Sequence, residues 1–141
     1  MAVTDKLFEG FTRWEGCDPF EDHVGPLYYR DEPDGSCRCA FVTDDYHMNG
    51  SGNMHGGMLM TFADYAMFFF ARKHIGDAHA VTVSFHADFT SASQVGEYVE
   101  ATGEVIHETR KMLFVRGQIT SGGRMLLNFS GVLKKVAARG E

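Results

Sequence analysis

The chain has 141 residues, 44% apolar and 23% charged, which fits one domain (residues 1–141) with a core of its own. Thirteen basic against nineteen acidic residues leave a net charge of −6, which argues against nonspecific nucleic-acid binding. The longest apolar run is too short to span a bilayer and "MAVTDKLFEGF" does not read as a secretory signal, so a cytoplasmic protein with no membrane partner is expected.

In chain order, Val3, Leu7, Phe11 and Trp14 recur at helical spacing and predict an amphipathic N-terminal helix, ended by Gly16 and Pro19. "GPLYYRDEPDGSCRCAFVT" predicts two strands joined by a turn over residues 31–35, with Pro-Asp-Gly as the turn signal. Cys37 and Cys39 lie on one face of the second strand. With Cys17 they make an odd count that points to a reducing compartment and to small buried thiols. Residues 44–53, "DDYHMNGSGN", are a polar, glycine-rich loop. A long apolar helix follows from about Gly56 to Lys73, stopping near Gly76 with Arg72, Lys73 and His74 in its last turn.

Beyond Gly76 the period changes to two. "HAVTVSFHADF" alternates, which sets Thr82 beside Ser84, His86 and Asp88 on a polar face. "GEYVEATGEVIHETR", "KMLFVRGQITS" and "RMLLNFSGVLKKV" complete four strands, and their short connections predict antiparallel hairpins. A helix that is apolar nearly all round needs cover on most sides. The predicted class is therefore α+β, a hotdog-like curved antiparallel sheet wrapped around a long central helix.

Three residues of the central helix carry chemistry. Asp64 stands amid apolar neighbours, and a buried carboxylate needs compensation, either a base such as His55 or Arg72 or a functional role. Gly56 and Gly57 open the helix, where bare backbone N–H groups suit an oxygen that becomes negative during reaction. Asp64 lies seven residues beyond Gly57, about two turns and ~10 Å along the same face. One chain's acid is too far from its own glycines to share a carbonyl with them, so a symmetric dimer is expected, with each site at a subunit interface.

The pattern Asn49-x-x-Gly52-x-x-His55-Gly56-Gly57 followed by Asp64 resembles the hotdog-fold acyl-CoA thioesterases of the PaaI type. "AVTVSFHADFTSASQVGEYVEATGEV" is similar to that family's strand after the helix, its crossover and its entry to the next strand. The resemblance covers roughly residues 40–135. It implies Asp64 as general base or nucleophile, Gly56 or Gly57 as donor to the thioester oxygen, Asn49 and His55 as orienting groups, and Thr82 as a hydroxyl that helps hold water. It also implies an acyl-CoA substrate and a homo-oligomer, a dimer or a dimer of dimers, with the tetramer favoured. Arg110-Lys111, Arg72-Lys73 and Arg124 are the candidate partners for the CoA phosphates. No cofactor is expected, and no metal, since the seven histidines show no ligand spacing. Two alternatives stand beside the hydrolase: a non-catalytic acyl-CoA binding or regulatory protein, and a hotdog hydratase or dehydratase.

Overall fold

The computed structural model of the chain describes residues 6–137. Its seven strands are β1 (Thr12–Trp14), β2 (Leu27–Asp31), β3 (Cys37–Val42), β4 (His79–Phe89), β5 (Tyr98–Glu108), β6 (Met112–Ser121) and β7 (Arg124–Val136). Its helices are α1 (Pro19–Val24), α2 (Gly56–Phe70) and α3 (Arg72–Ile75). The strands form one antiparallel sheet in the order β1-β2-β3-β5-β6-β7-β4. The sheet curves around α2, whose Phe62, Ala63, Ala66 and Met67 are fully buried against it, and this α+β architecture is the hotdog fold.

Local chemistry accounts for the joints. Between β2 and β3, Gly35 adopts φ +90°, and Asp34 accepts hydrogen bonds from both the backbone N–H and the hydroxyl of Ser36. Gly122 and Gly123, both at positive φ, close the β6–β7 hairpin. Residues 90–97 form the crossover that the resemblance implies. They cross the sheet, because β4 pairs with β7 and β5 pairs with β3 and β6. This short connection joins the edge strand β4 to the inner strand β5.

Two further expectations are corrected. The N-terminal helix does not reach Trp14: Thr12–Trp14 pair with β2, Gly10 turns the chain at φ +83°, and Phe8 stacks on Tyr28 with centroids 3.7 Å apart. Val3 lies outside the described residues. Pro19, expected to end a helix, begins one. It occupies the first turn of α1, and the Asp18 carboxylate caps that turn by accepting from Glu21 N at 2.9 Å. The central helix also ends earlier than expected, at Phe70, where buried Ala71 takes ψ 0° and α3 continues after a bend.

Phe70 packs where Gly103 of β5 and Gly117 of β6 face each other. A Cβ at Gly103 would lie 2.4 Å from the Arg116 carbonyl oxygen and 2.5 Å from Phe70 Cε2, so this pair lets the helix approach the sheet. Gly103→Ala is expected to lower unfolding free energy by about 1–3 kcal/mol through overpacking. A urea titration checks this: the midpoint should fall at constant slope, and an unmoved midpoint would contradict the packing described.

Candidate active site

The loop before α2 is built from its own polar groups. Asn49 Oδ1 accepts from Ser51 N at 2.9 Å and Asn53 N at 3.2 Å, leaving the carboxamide NH2 as the end of this exposed side chain free for other contacts. His47 is buried. Its Nδ1 accepts from Asp44 N, so its Nε2 bears the proton and donates to the carbonyl of Val24 at 2.6 Å. That bond ties the loop to the end of α1.

His55 caps α2. Its Nδ1 accepts from Gly57 N at 2.8 Å, which makes Nε2 the proton-bearing nitrogen of the neutral ring. The two glycines therefore differ. A Cβ at Gly57 would sit 2.9 Å from His55 Nδ1, so glycine there admits the cap. Gly56 is the first residue of the helix, and its N–H has no intrahelical acceptor. The ring of Phe89, from β4, stands over it, 3.1 Å from where a Cβ would be.

Asp64, half-buried, is partnered by Thr82, whose hydroxyl donates to Oδ1 at 2.6 Å. Neither base expected to pair with it does so: Arg72 bonds Asp31, and His55 bonds Gly57. The Thr82 contact depends on an irregularity of β4. A β-bulge between Thr82 and Ser84 shifts the register against β7, so Thr82 turns inward while Ser84 keeps the outward face. Strict alternation would have placed both together, as the sequence pattern suggested. Burial pushes the Asp64 carboxyl above the usual aspartate range, the Thr82 hydrogen bond pulls it back, and the Asp18 carboxylate raises it.

Asp64 opens into a cavity of about 560 Å³ walled by Trp14, Tyr29, Phe68 and Phe69. Glu21 and Asp18, from α1 and its cap, also line it. Glu21 is the site residue the sequence pattern did not single out. Its signal was present in Asp18-Pro19-Phe20-Glu21, an N-cap followed by Pro and an acid in the first turn. Glu21 Oε1 accepts from Trp14 Nε1 at 2.9 Å. Burial drives its carboxyl up to about 7, against the Trp14 bond, with help from Asp18 and Asp64.

The structure thus brings Asp64 and Thr82 together at the middle of α2, and Asn49, His55, Gly56 and Gly57 at its head. Within one chain it does not join the two groups. Of the basic candidates, Arg124 is paired with Glu97 and Arg72 with Asp31, and Lys73 donates to the carbonyl of Gly35. Arg110 and Lys111 are exposed at the β5–β6 turn. Among the described residues no cluster of three or more His, Cys, Asp or Glu is placed to hold a metal, and no helix is long and apolar enough to cross a membrane.

A wrapped helix presenting one desolvated carboxylate beside an aromatic cavity defines a hotdog protein with an acid site. The chain belongs to the thioesterase superfamily, whose family model matches residues 51–128, and within it is similar to PaaI proteins. It is 32% identical over 128 residues to "Putative esterase PA0474" of Pseudomonas aeruginosa, covering 88% of this chain and 93% of that one. It is 22% identical over 120 residues to human acyl-coenzyme A thioesterase 13, covering 85% and 86%. The solved structure of a mutant of the phenylacetic acid degradation protein PaaI from Thermus thermophilus superposes with a TM-score of 0.74 at 27% identity, covering 84% of this chain and all of that one.

The raised Glu21 carboxyl has a consequence for stability. A group that holds its proton more tightly when folded stabilises the fold below its unfolded value, and that contribution is lost as pH rises through its folded value. Stability should therefore decline from pH 4.5 toward about 7 on account of Glu21. In Glu21→Gln the decline should be shallower, as read from thermal midpoints across that range. A slope equal to wild type would show that Glu21 is not desolvated.

Proposed function

We propose that the protein hydrolyses an acyl-CoA thioester to the free acid and CoA, with Asp64 as the catalytic carboxylate. The observation that carries this reading is the desolvated Asp64, held by the Thr82 hydroxyl and opening into an apolar cavity. A binding surface has no use for a carboxylate at that position, since an apolar side chain would sit there at lower cost. Membership of the thioesterase superfamily and the likeness to acyl-coenzyme A thioesterase 13 support the same chemistry.

In this mechanism Asp64 takes a proton from a water as its oxygen adds to the thioester carbon, or adds directly and forms an anhydride that water then opens. The carbonyl oxygen becomes negative and is met by a backbone N–H at a helix N-terminus. Gly56 is the donor of choice, because the Gly57 N–H is already engaged by His55. The C–S bond breaks and CoA leaves as thiolate, with the Nε2–H of His55 and the carboxamide NH2 of Asn49 available to it. Thr82 fixes the rotamer of Asp64.

Asp64 and Gly56 of one helix are separated by ~12 Å of rise, so the site pairs the acid of one subunit with the helix head of another. The sheet edge at β4 supports such an assembly. Among the described residues it has no strand beyond it, and it carries exposed Val81, Val83 and Phe89, an edge that a second copy would cover. The assembly is a homodimer or a dimer of two such dimers.

Asp64→Asn is expected to reduce turnover of acyl-CoA by about 10²–10⁴-fold with the fold intact, measured as free thiol released from a panel of acyl-CoAs. Full activity in that variant would remove Asp64 from the mechanism. Asp64 must be ionised, so its raised value places the acid limb of the rate profile above the ordinary aspartate range. Thr82→Val, which deletes a lowering hydrogen bond, should move that limb further up. A limb that stays in place would contradict the Thr82 role.

A shared site has its own signature. Co-expressed Asp64→Asn and His55→Ala chains, each impaired alone, should form mixed dimers with one intact site, restoring about a quarter of wild-type activity. Activity no higher than that of the separate variants would place each site within one chain.

A further inference from the structure

One wall of the cavity beside Asp64 has no core behind it. Trp14, Asp18 and Glu21 line the space from the N-terminal elbow, while Asp64, Phe68 and Phe69 line it from α2. From Thr12 to Val24 no residue is buried: Trp14, Asp18, Glu21 and Val24 are half-buried and the others exposed, Phe20 at 60%. Segments with so little apolar burial open locally while the rest of a fold stays shut. The two ends of α1 are held unequally. At its C-terminal end the Val24 carbonyl accepts from His47 Nε2 at 2.6 Å, and the carbonyl of buried Gly25 accepts from the Tyr46 hydroxyl. Ahead of its N-terminal end Gly16 takes φ +82° with open space where a Cβ would be, which suits a hinge. There the side-chain bonds are Trp14 Nε1 to Glu21 at 2.9 Å and Gly16 N to the exposed Asp22 carboxylate at 3.0 Å.

We propose that α1 is a lid over this cavity, that it swings about its Val24–Gly25 end, and that Glu21 is its latch, seated beside Trp14 when protonated and expelled toward water when ionised. The charges that meet Glu21 favour expulsion. Asp18 and Asp22 stand on its own element and Asp64 faces it from α2. His23 sits in the last turn of α1. Arg72, the one cation among the cavity's described lining residues, is held by Asp31 and lies over the rings of Tyr29 and Phe69. Arg13 of β1 is paired with Glu15. Tyr65 of α2 and Cys39 of β3 are kept protonated by burial and bring no charge. Burial is the largest cause, and with Asp18, Asp64 and Asp22 it lifts the Glu21 carboxyl from 4.5 to about 7 against the Trp14 bond. With the lid open that carboxyl meets water and returns toward its ordinary value. A value raised in the closed form favours closure below the ordinary value, and that preference is lost as pH rises through the raised one. The lid is therefore shut in acid and opens as pH climbs from 4.5 toward about 7.

Trp14 is the chain's single tryptophan and lines the space under the lid, so a neutral quencher reports opening without substrate or turnover. The test measures acrylamide quenching of the full-length protein, corrected for fluorescence lifetime, from below pH 4.5 to above neutrality. The quenching constant should rise about twofold or more as the lid opens, while far-UV circular dichroism stays constant. The midpoint should fall between pH 4.5 and about 7. Glu21→Gln and Glu21→Leu, which have no charge to expel, should keep the low-pH constant throughout. Asp64→Asn should retain the rise, because the group that triggers it is still present. A flat wild-type profile or a rise that persists in both Glu21 variants would overturn the proposal. So would a rise that vanishes in Asp64→Asn, which would make Asp64 the trigger, or one that accompanies loss of circular dichroism, which would make it unfolding of the whole chain. None of these readings depends on whether the protein cleaves a thioester.

Discussion

A carboxylate in the middle of an apolar helix must give up its water, and in this protein the Thr82 hydroxyl at 2.6 Å stands in for it. That one bond places demands on distant parts of the chain. It requires β4 to lie against the Asp64 face of α2, which the crossover at residues 90–97 achieves by sending β4 to the far side of the sheet from β5. It also requires a strand that can turn Thr82 inward out of step with its neighbours. The bulge at Val83 does this, and a bulge is tolerated best at an edge, where only one neighbour's register must accommodate it.

The N-terminal elbow meets the other half of the same demand. Asp64 is desolvated because β1 and α1 fold across its cavity, and that elbow has few apolar anchors of its own, since no residue of α1 is buried. Polar bonds hold it: Asp18 caps α1, Trp14 reaches Glu21, and His47 reaches Val24 from the loop that leads into α2. The same His47 carbonyl accepts from His55 N, so the elbow, the loop and the helix head are linked by consecutive hydrogen bonds. Glu21 is the cost of this arrangement, a carboxyl pushed up to about 7 by burial in the cavity it helps to close.

Much of this was legible in the chain. The central helix announced itself by unbroken apolarity, the strands by alternation, and the joints by Pro-Asp-Gly and Gly-Gly. Asp64 stood out because a charge in such a helix demands an account. What stayed hidden depended on partners far away in sequence. Alternation predicts faces only while register holds, so the bulge that turns Thr82 inward left no mark in "AVTVSF". Thr12–Trp14 read as helix because helical spacing of apolar residues does not reveal a neighbouring strand such as β2 that pairs with them. Pro19 read as a stop because Pro marks both ends of helices, and Asp18 before it and Glu21 after it were the evidence for a start. The place of Glu21 in a helix's first turn could be read from Asp18-Pro19-Phe20-Glu21, but its chemistry comes from burial in the cavity and from Trp14, Asp18 and Asp64.

The paired glycines show how far one motif can divide its labour. Gly57 lacks a side chain so that His55 can fold back onto its N–H, which leaves that donor satisfied by the chain itself. Gly56 lacks one beneath the Phe89 ring, and as the first residue of α2 it is left with a donor unspent at the positive end of the helix. The cap thus sharpens the site, because removing one of two equivalent donors fixes where an oxygen anion can be received. Phe89 belongs to the same edge strand as Thr82, so β4 attends to both the acid and the helix head of one chain although the two stand about two turns apart. In the proposed dimer that edge meets its copy. The strand that desolvates one subunit's acid is then also the strand that carries it to the other subunit's donor.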